Sequence, residues 1–390
     1  MRILHMINSV HPAEGGTAEC VAQIGGYLDT SGDSVEVAAC SDRYDDSWVR
    51  DFPLKVHGLG PGYGRYSFSP RCAAWLDENL HRFDLLVLNG IWQYQTAAGY
   101  YAARRHSKPY FVYAHGMLDP WSRRAQPFKY AKKLAYWAIL LRRVLSLANA
   151  VLFTSQEESV LAKNFVPFFW QWHSVVVGNG IAAPPAVTVR MRSQLEANYP
   201  ALRGKIVLLY LARLHEKKGI DLLLRAFAQI RQKCPESHLL ICGAGDAAYE
   251  KKLRGLASGL ALDRHVTWTG LVLKDMKWAA FEAADLFVLP SHQENFGIAI
   301  AEALAMGRPV LITKRVNTWR EVQASKAGLI CDDTVEGISA ALARWFAIRQ
   351  EASPRMRESA RECFRRNFSV EEAALAVRSI YAASVSAGKP

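Results

Sequence analysis

Short apolar runs separated by stretches of helical length recur along nearly the whole chain. In the first half they predict strands at residues 2–7, 34–39, 85–88, 110–114, 150–153 and 174–177. A second series follows at 205–211, 238–242, 265–268, 286–289, 309–312 and 329–331. Most of these runs carry no alternating polar face, as expected of parallel strands covered on both sides by helices. Strand and helix in alternation predict an α/β fold with parallel sheets. Between the two series, Asn179-Gly180 is a turn dipeptide, and Ala182-Ala183-Pro184-Pro185 continues neither a helix nor a central strand. A chain of 390 residues is also long for one core. The expected layout is a Rossmann-like domain over 1–182, a linker over 183–203 with a polar helix at about 189–198, a second Rossmann-like domain over 204–367, and a last helix in 368–390. Two similar lobes facing a central cleft is the economical reading.

Composition narrows the class. Seven scattered cysteines without a C-x-x-C pair read as reduced, mostly buried thiols of a cytoplasmic protein, not as a disulfide framework or a zinc site. Met1–Ile7 is too short for a signal peptide and reads as a buried strand. No uninterrupted apolar run is long enough to span a bilayer. The formal net charge of +12 favours anionic partners: nucleotides, phosphorylated substrates, a membrane surface or nucleic acid.

Parallel sheets bind ligands beyond the carboxyl ends of their strands, so the loops there carry the candidate chemistry. Glu294 and Glu302 lie eight residues apart around a predicted helix start, and Glu302 is the only charge between Phe296 and Met306. A carboxylate in such surroundings needs a partner, and the adjacent hydroxyls of a sugar or ribose can donate to it together. The first helical amides, around Phe296, Gly297 and Ile298, lack intrahelical acceptors and suit an anion. Arg213 and Lys218 bracket a short loop after strand 205–211, where a diphosphate needs fixed positive charge; a solvated basic loop balanced by Glu216 fits the same residues. Gly15-Gly16 allows close backbone approach by a phosphate or sugar, or makes a plain tight turn. His115-Gly116 closes strand 110–114, either as a structural histidine or as one lining the ligand site. Gly243-Ala244-Gly245 with Ala248 loosely matches a dinucleotide fingerprint, but on the second strand–helix unit of its domain, where it reads as close backbone approach near a nucleotide.

In this order the pieces resemble the retaining glycosyltransferases of the GT4 family, with GT-B architecture. The residues that carry the likeness are Gly15-Gly16, His115-Gly116, Asn179-Gly180-Ile181, Ala212 through Gly219, Gly243-Ala244-Gly245, the Glu294…Glu302 element and Asn367-Phe368-Ser369 before the last helix. Ala212 departs from the glycine usual before the arginine. The resemblance implies an N-terminal acceptor domain, a C-terminal nucleotide-sugar donor domain, and a last helix crossing back onto the first lobe. It further implies that Arg213, Lys218 and the amides of Phe296, Gly297 and Ile298 hold the donor diphosphate, and that Glu302 takes the ribose hydroxyls. Glu294 and His115 would face the transferred sugar, with Gly16 and Gly243 approaching the donor. The implied reaction moves a hexose-type sugar from a nucleoside-diphosphate-sugar to an acceptor hydroxyl with retention, for polysaccharide or lipopolysaccharide biosynthesis. No D-x-D loop is well placed, and Cys331-Asp332-Asp333 reads as a strand end before a helix cap, so neither metal nor cofactor is expected.

From Arg123 to Arg143 there are seven basic residues and no acidic one. On a helical wheel Lys129, Lys132, Lys133 and Tyr136 share one face, with Phe128, Ala131, Leu134, Ala135, Ala138 and Leu141 on the other. With Arg123, Arg124, Trp121 and Trp137, and with Phe165, Phe168, Phe169, Trp170 and Trp172 nearby in sequence, this suits a helix on anionic lipid; a core-packed helix with a solvated basic face fits too. The expected setting is cytoplasmic, with peripheral attachment at the inner membrane face to reach a lipid-linked saccharide. Three competing readings rank lower. A nucleotide-sugar epimerase would need no second substrate, and a dehydrogenase would need its fingerprint at the first strand–helix turn. A nucleic-acid-binding protein, suggested by the charge, would need a dedicated module that is not seen, so no nucleic acid is expected as partner.

Overall fold

The computed structural model describes residues 1–12, 15–120, 123, 127–166 and 171–387. The chain divides into two compact units, Met1–Ala182 with Ser369–Pro390, and Ala183–Phe368. The first holds a parallel sheet of β1 (Arg2–Ile7), β2 (Ser34–Ala39), β3 (Lys55–Gly58), β4 (Leu85–Asn89), β5 (Tyr110–Tyr113), β6 (Ala150–Phe153) and β7 (Ser174–Val176), in the order β3-β2-β1-β4-β5-β6-β7. The second holds β8 (Ile206–Leu211), β9 (Ser237–Cys242), β10 (Val266–Gly270), β11 (Leu286–Leu289), β12 (Val310–Thr313) and β13 (Gly328–Cys331), in the order β10-β9-β8-β11-β12-β13, also parallel. Both are Rossmann-like sheets.

Alternation along each strand sorts the apolar residues of the first unit onto two buried faces. Leu4, Met6, Leu86, Leu88, Tyr110 and Val112 share one core, while Ile3, Ile7, Leu85, Val87, Phe111 and Tyr113 share the other. With both faces covered the strands are largely apolar, which is why they stand out in the sequence. The helix Val370–Ala387 completes the second of these cores: Val370, Ala373, Ala374, Val377 and Tyr381 are buried there, and Tyr381 packs on Phe111 at 4.6 Å between ring centroids. Ile181 accepts from the Val370 amide at 3.0 Å, tying this helix to the unit it closes.

Two features differ from the sequence expectation. Strand β3 was not foreseen; it is a four-residue edge strand, Lys-Val-His-Gly, with too little apolar character to register. Residues 183–203, expected as a linker, are folded onto the second unit. Helix Val189–Asn198 buries Met191 and Leu195, packs on helix Lys274–Ala283, and sets Arg192 3.5 Å from Glu282.

In each sheet the strand order reverses beside the unit's first strand. β1 lies between β2 and β4, and β8 between β9 and β11. Such a switch point leaves a crevice beyond the carboxyl ends of the two central strands. The loops there include residues 8–12, 15 and 90–93 in the first unit, and 212–219 and 290–297 in the second.

Candidate active site

At the switch point of the second unit, loops 212–219 and 290–297 pack backbone against backbone. His292 donates its amide to the Lys217 carbonyl at 2.8 Å. Gly219, at φ 65°, caps the helix Ile220–Arg231, and a Cβ there would stand 2.1 Å from the Pro290 oxygen. Only glycine meets both demands. This close packing brings the Lys218 ammonium into an ion pair with Glu294, both side chains less than a fifth exposed. Glu294 is fixed through its backbone as well: its amide donates to Arg315 at 3.1 Å and its carbonyl accepts from Asn317 at 2.9 Å. The Arg213 guanidinium is exposed and pairs with no carboxylate among the described residues.

Gly297, at φ 77°, caps the helix Ile298–Ala305, so Ile298 is its first residue and Phe296 precedes it. The Phe296 ring is buried and meets Phe368 edge-on at 5.6 Å, anchoring the helix start. The helix is short and apolar, with Ile300, Ala301, Ala303 and Leu304 buried, and its leading amides lack intrahelical acceptors. Glu302 lies one turn in, only 12% exposed, and its Oε1 is 2.6 Å from the Lys277 Nζ. Lys277 comes from the helix Lys274–Ala283 and also lies over the Trp278 ring at 4.2 Å. Each acid of the pair is therefore neutralised by a lysine from a different loop or helix.

Other glycines and acids have local explanations. A Cβ on Gly243 would stand 1.9 Å from the Ala212 oxygen, and one on Gly245 2.2 Å from the Leu214 oxygen. Chain packing alone demands glycine at both. Asp246 then caps the helix Ala247–Gly259 through the amides of Ala248 and Tyr249. After β13 it is Thr334 that caps the next helix. Asp333 instead accepts from His292 at 3.1 Å and Arg315 at 3.4 Å, and Asp332 pairs with Lys314. Among the described residues, no three His, Cys, Asp or Glu side chains converge as a metal site would require.

In the first unit, Gly15 has φ 70°, and among the described residues neither it nor Gly16 has an atom near the place a Cβ would occupy. The backbone there is open to approach. His115 follows β5 in the left-handed region, at φ 48°, a conformation unusual for a side-chain-bearing residue. Buried Glu158 holds the turn: its carboxylate accepts from the Gly116 amide at 2.5 Å and from the Thr154 amide at 2.7 Å. The His115 ring stacks on Tyr113 at 4.5 Å, and its Nε2 is 3.1 Å from the Asn89 Oδ1. Asn89 reaches on to the Nδ1 of His5 at 3.1 Å. Burial pushes the His115 pKa down to about 3, with His5 adding to the effect, and burial pushes His5 down to about 4. Both imidazoles are neutral at physiological pH.

The basic segment forms the helix Pro127–Tyr136, a π turn at Trp137–Leu141 and the helix Arg142–Ser146. Its faces differ from the wheel. Phe128 is 89% exposed and Ile139 77%, beside exposed Lys129, Lys132 and Arg143, with Arg123 also exposed. Lys133 turns inward over the rings of Trp92 at 4.7 Å and Phe165 at 5.9 Å, because those aromatics offer a cation a face where water is scarce. Phe165 and Trp137 are core residues. Arg124, Trp121, Phe168, Phe169 and Trp170 lie outside the described residues. Among the described residues no helix is long and apolar enough to cross a membrane.

Lys277, Asn89, His5 and Glu158 were not singled out from sequence. Only Glu158 carries a local signal, the Ser155-x-x-Glu158 pattern of a capping box, and that pattern describes half of its behaviour. Ser155 does accept from the Glu158 amide, but the carboxylate serves Gly116 and Thr154.

The family described as glycosyl transferases group 1 matches residues 192–363, and that described as glycosyl transferase 4-like domain matches residues 15–180. The D-inositol 3-phosphate glycosyltransferase of Arthrobacter sp. (strain FB24) is 33% identical over 159 residues, 38% of this chain and 37% of that protein. A GDP-mannose-dependent alpha-(1-6)-phosphatidylinositol monomannoside mannosyltransferase of Mycolicibacterium smegmatis is 30% identical over 213 residues, 52% of this chain and 54% of that protein. The chain thus spans about a third to a half of the length of these curated relatives. Among solved structures, Anabaena HepE in complex with UDP superposes with a TM-score of 0.79 at 18% identity, over 98% of this chain and 100% of that one. Two Rossmann-like sheets, each matched by its own family pattern, place the chain in one group: it belongs to the GT4-type, group 1 glycosyltransferases of GT-B architecture.

Proposed function

We propose that the protein transfers a hexose-type sugar from a nucleoside-diphosphate-sugar to an acceptor hydroxyl, with retention and without a metal. The observation that carries the reading is the Lys218–Glu294 pair at the switch point of the second sheet, with Arg213, which pairs with no carboxylate among the described residues, on the same loop as Lys218. A diphosphate needs cations, a sugar needs acceptors, and this corner offers both on a rigid scaffold. Breaking the anomeric C–O bond sends its electron pair to the diphosphate oxygen and leaves oxocarbenium character on the sugar. Arg213, Lys218 and the leading amides at Gly297 and Ile298 would stabilise the growing negative charge. The acceptor oxygen then bonds to the anomeric carbon on the face the leaving group vacates, and its proton passes to a diphosphate oxygen. Glu302 would accept the ribose hydroxyls, with Lys277 holding the carboxylate in place. Glu294 and His115 would face the transferred sugar, and the open backbone at Gly16 would admit donor or acceptor.

Two kinds of likeness support the choice of substrate class: one relative is named for GDP-mannose, and one structural neighbour was solved with UDP-glucose. The acceptor we propose is a lipid-linked or surface-polysaccharide precursor, reached from the cytoplasmic membrane face. Exposed Phe128 and Ile139 beside Lys129, Lys132 and Arg143 form an apolar and cationic face fitted to anionic lipid. The transfer reading is tested by screening UDP- and GDP-sugars for slow donor hydrolysis, then for transfer with added acceptor. Hydrolysis of none of them would refute it; interconversion of sugars without transfer would instead favour an epimerase. Flotation with phosphatidylglycerol vesicles tests the docking, and an F128S/K132E variant that floats as well as the parent would refute it.

A further inference from the structure

We propose that Asn89 locks His115 as the neutral Nε2–H tautomer, so that His115 meets its ligand only as a hydrogen-bond acceptor, through Nδ1. The ligand side of this inference rests on the reading of His115 as facing a sugar; the tautomer does not.

Asn89 is 2% exposed at the end of β4. Its Nδ2 lies 3.2 Å from the Met6 carbonyl oxygen, 3.2 Å from the Val87 carbonyl oxygen and 3.1 Å from the His5 Nδ1. Carbonyl oxygens only accept, so the side-chain nitrogen belongs on that side and the amide oxygen on the other. That oxygen faces His115 Nε2 at 3.1 Å and has no proton to give. The hydrogen in this bond must come from the histidine. A neutral imidazole carries one N–H, which leaves Nδ1 with a lone pair and, among the described residues, no partner.

A doubly protonated ring would satisfy the same bond, and its surroundings oppose it. The groups packed around it are the Tyr113 ring, stacked at an interplanar angle of 8°, and Asn89, with neutral His5 behind. Cys20 lies beyond Tyr113. The Glu158 carboxylate accepts from the Gly116 and Thr154 amides and the Thr154 hydroxyl. The stack on Tyr113 and the contact with Asn89 hold the ring in this orientation, and the backbone that carries it, at φ 48°, is pinned through Gly116. Whatever group Nδ1 engages must itself donate, as a sugar hydroxyl does and a carboxylate does not. Asn89 is thus a positioning residue acting through His115.

The test is long-range ¹H–¹⁵N correlation on the full chain labelled at histidine rings, between about pH 6 and 8, with His115 assigned by its absence in H115Q. The expected spectrum has a protonated Nε2 and an unprotonated Nδ1 across the range. A protonated Nδ1 in the native protein, in either the other tautomer or the imidazolium, overturns the proposal. Asn89→Asp provides the second readout, because a carboxylate beside Nε2–H stabilises the imidazolium. Its kcat/KM should drop about tenfold or more on the acid side and recover as pH rises, while the parent stays flat over the same range. A flat N89D profile with a folded protein, where H115Q has lost turnover, would also overturn it. The expected spectrum together with undiminished turnover of H115Q would leave the tautomer standing and strike down the sugar-facing reading.

Discussion

The two switch points differ in how they handle charge. In the second unit each acid meets a lysine, Glu294 with Lys218 and Glu302 with Lys277, and the side chains remain partly accessible. In the first unit the corresponding edge carries a neutral relay, His115–Asn89–His5, sealed at its inner end. An ion pair near the surface can be opened and re-formed around a charged ligand at modest cost. A buried neutral relay cannot take a charge cheaply, but it fixes the direction of the hydrogens between Asn89 and its two histidines. One unit is suited to an anion that arrives and leaves; the other is suited to orienting an uncharged hydroxyl.

Four measurements would break or sharpen that contrast. The largest effect is expected from Glu294→Gln and Glu302→Gln, which keep shape and remove charge. Each should lower kcat/KM by about 10²–10³-fold while leaving the thermal midpoint near its parent value. Parent-level turnover in both would remove the acids from the site.

Next comes acid sensitivity, where the units should behave alike. His5 in the first and His238 in the second are almost wholly buried, and burial pushes both pKa values down to about 4. Folded, they stay neutral; unfolded, they take up a proton below the ordinary value near 6.5. Their contribution is therefore complete above about pH 6.5 and declines as pH falls toward 4. By pH 5 each costs about 2 kcal/mol of stability, readable as a lower denaturant midpoint at pH 5 than at pH 7. Equal midpoints would contradict the burial of these rings.

Two glycines give the smaller effects. Gly243→Ala should cost about 1–3 kcal/mol with no nucleotide present, because the Ala212 carbonyl blocks the added methyl. Gly16→Ala meets open space and sits at a helix start, so its stability should change by less than about 0.5 kcal/mol. Activity lost in G16A without loss of stability would assign Gly16 to a ligand; activity retained would make it a turn residue only.

What the sequence disclosed follows from how local each signal is. Strands buried on both faces are largely apolar, so β1, β4 and β8 are legible, whereas the polar edge strand β3 is not. Glu302 stood out because it interrupts an apolar helix. Its partner Lys277 did not, since 25 residues separate them and nothing near Lys277 marks it. Asn89 and His5 were hidden for the same reason: their roles arise from the lateral order of β1, β4 and β5, which spacing along the chain does not encode. The basic helix misled differently. The wheel placed Lys133 with Lys129 and Lys132 on one basic face, but aromatic rings from other segments drew that lysine in.

The helix Val370–Ala387 has a consequence for how the molecule is made. Its buried side chains belong to the core around Phe111 and Tyr113, yet the ribosome delivers them only after all of Ala183–Phe368. During synthesis the N-terminal half must wait with part of its interior uncovered while its successor folds. A polypeptide cut before Val370 would expose that apolar seam permanently, so early termination should yield aggregates and not a smaller working enzyme.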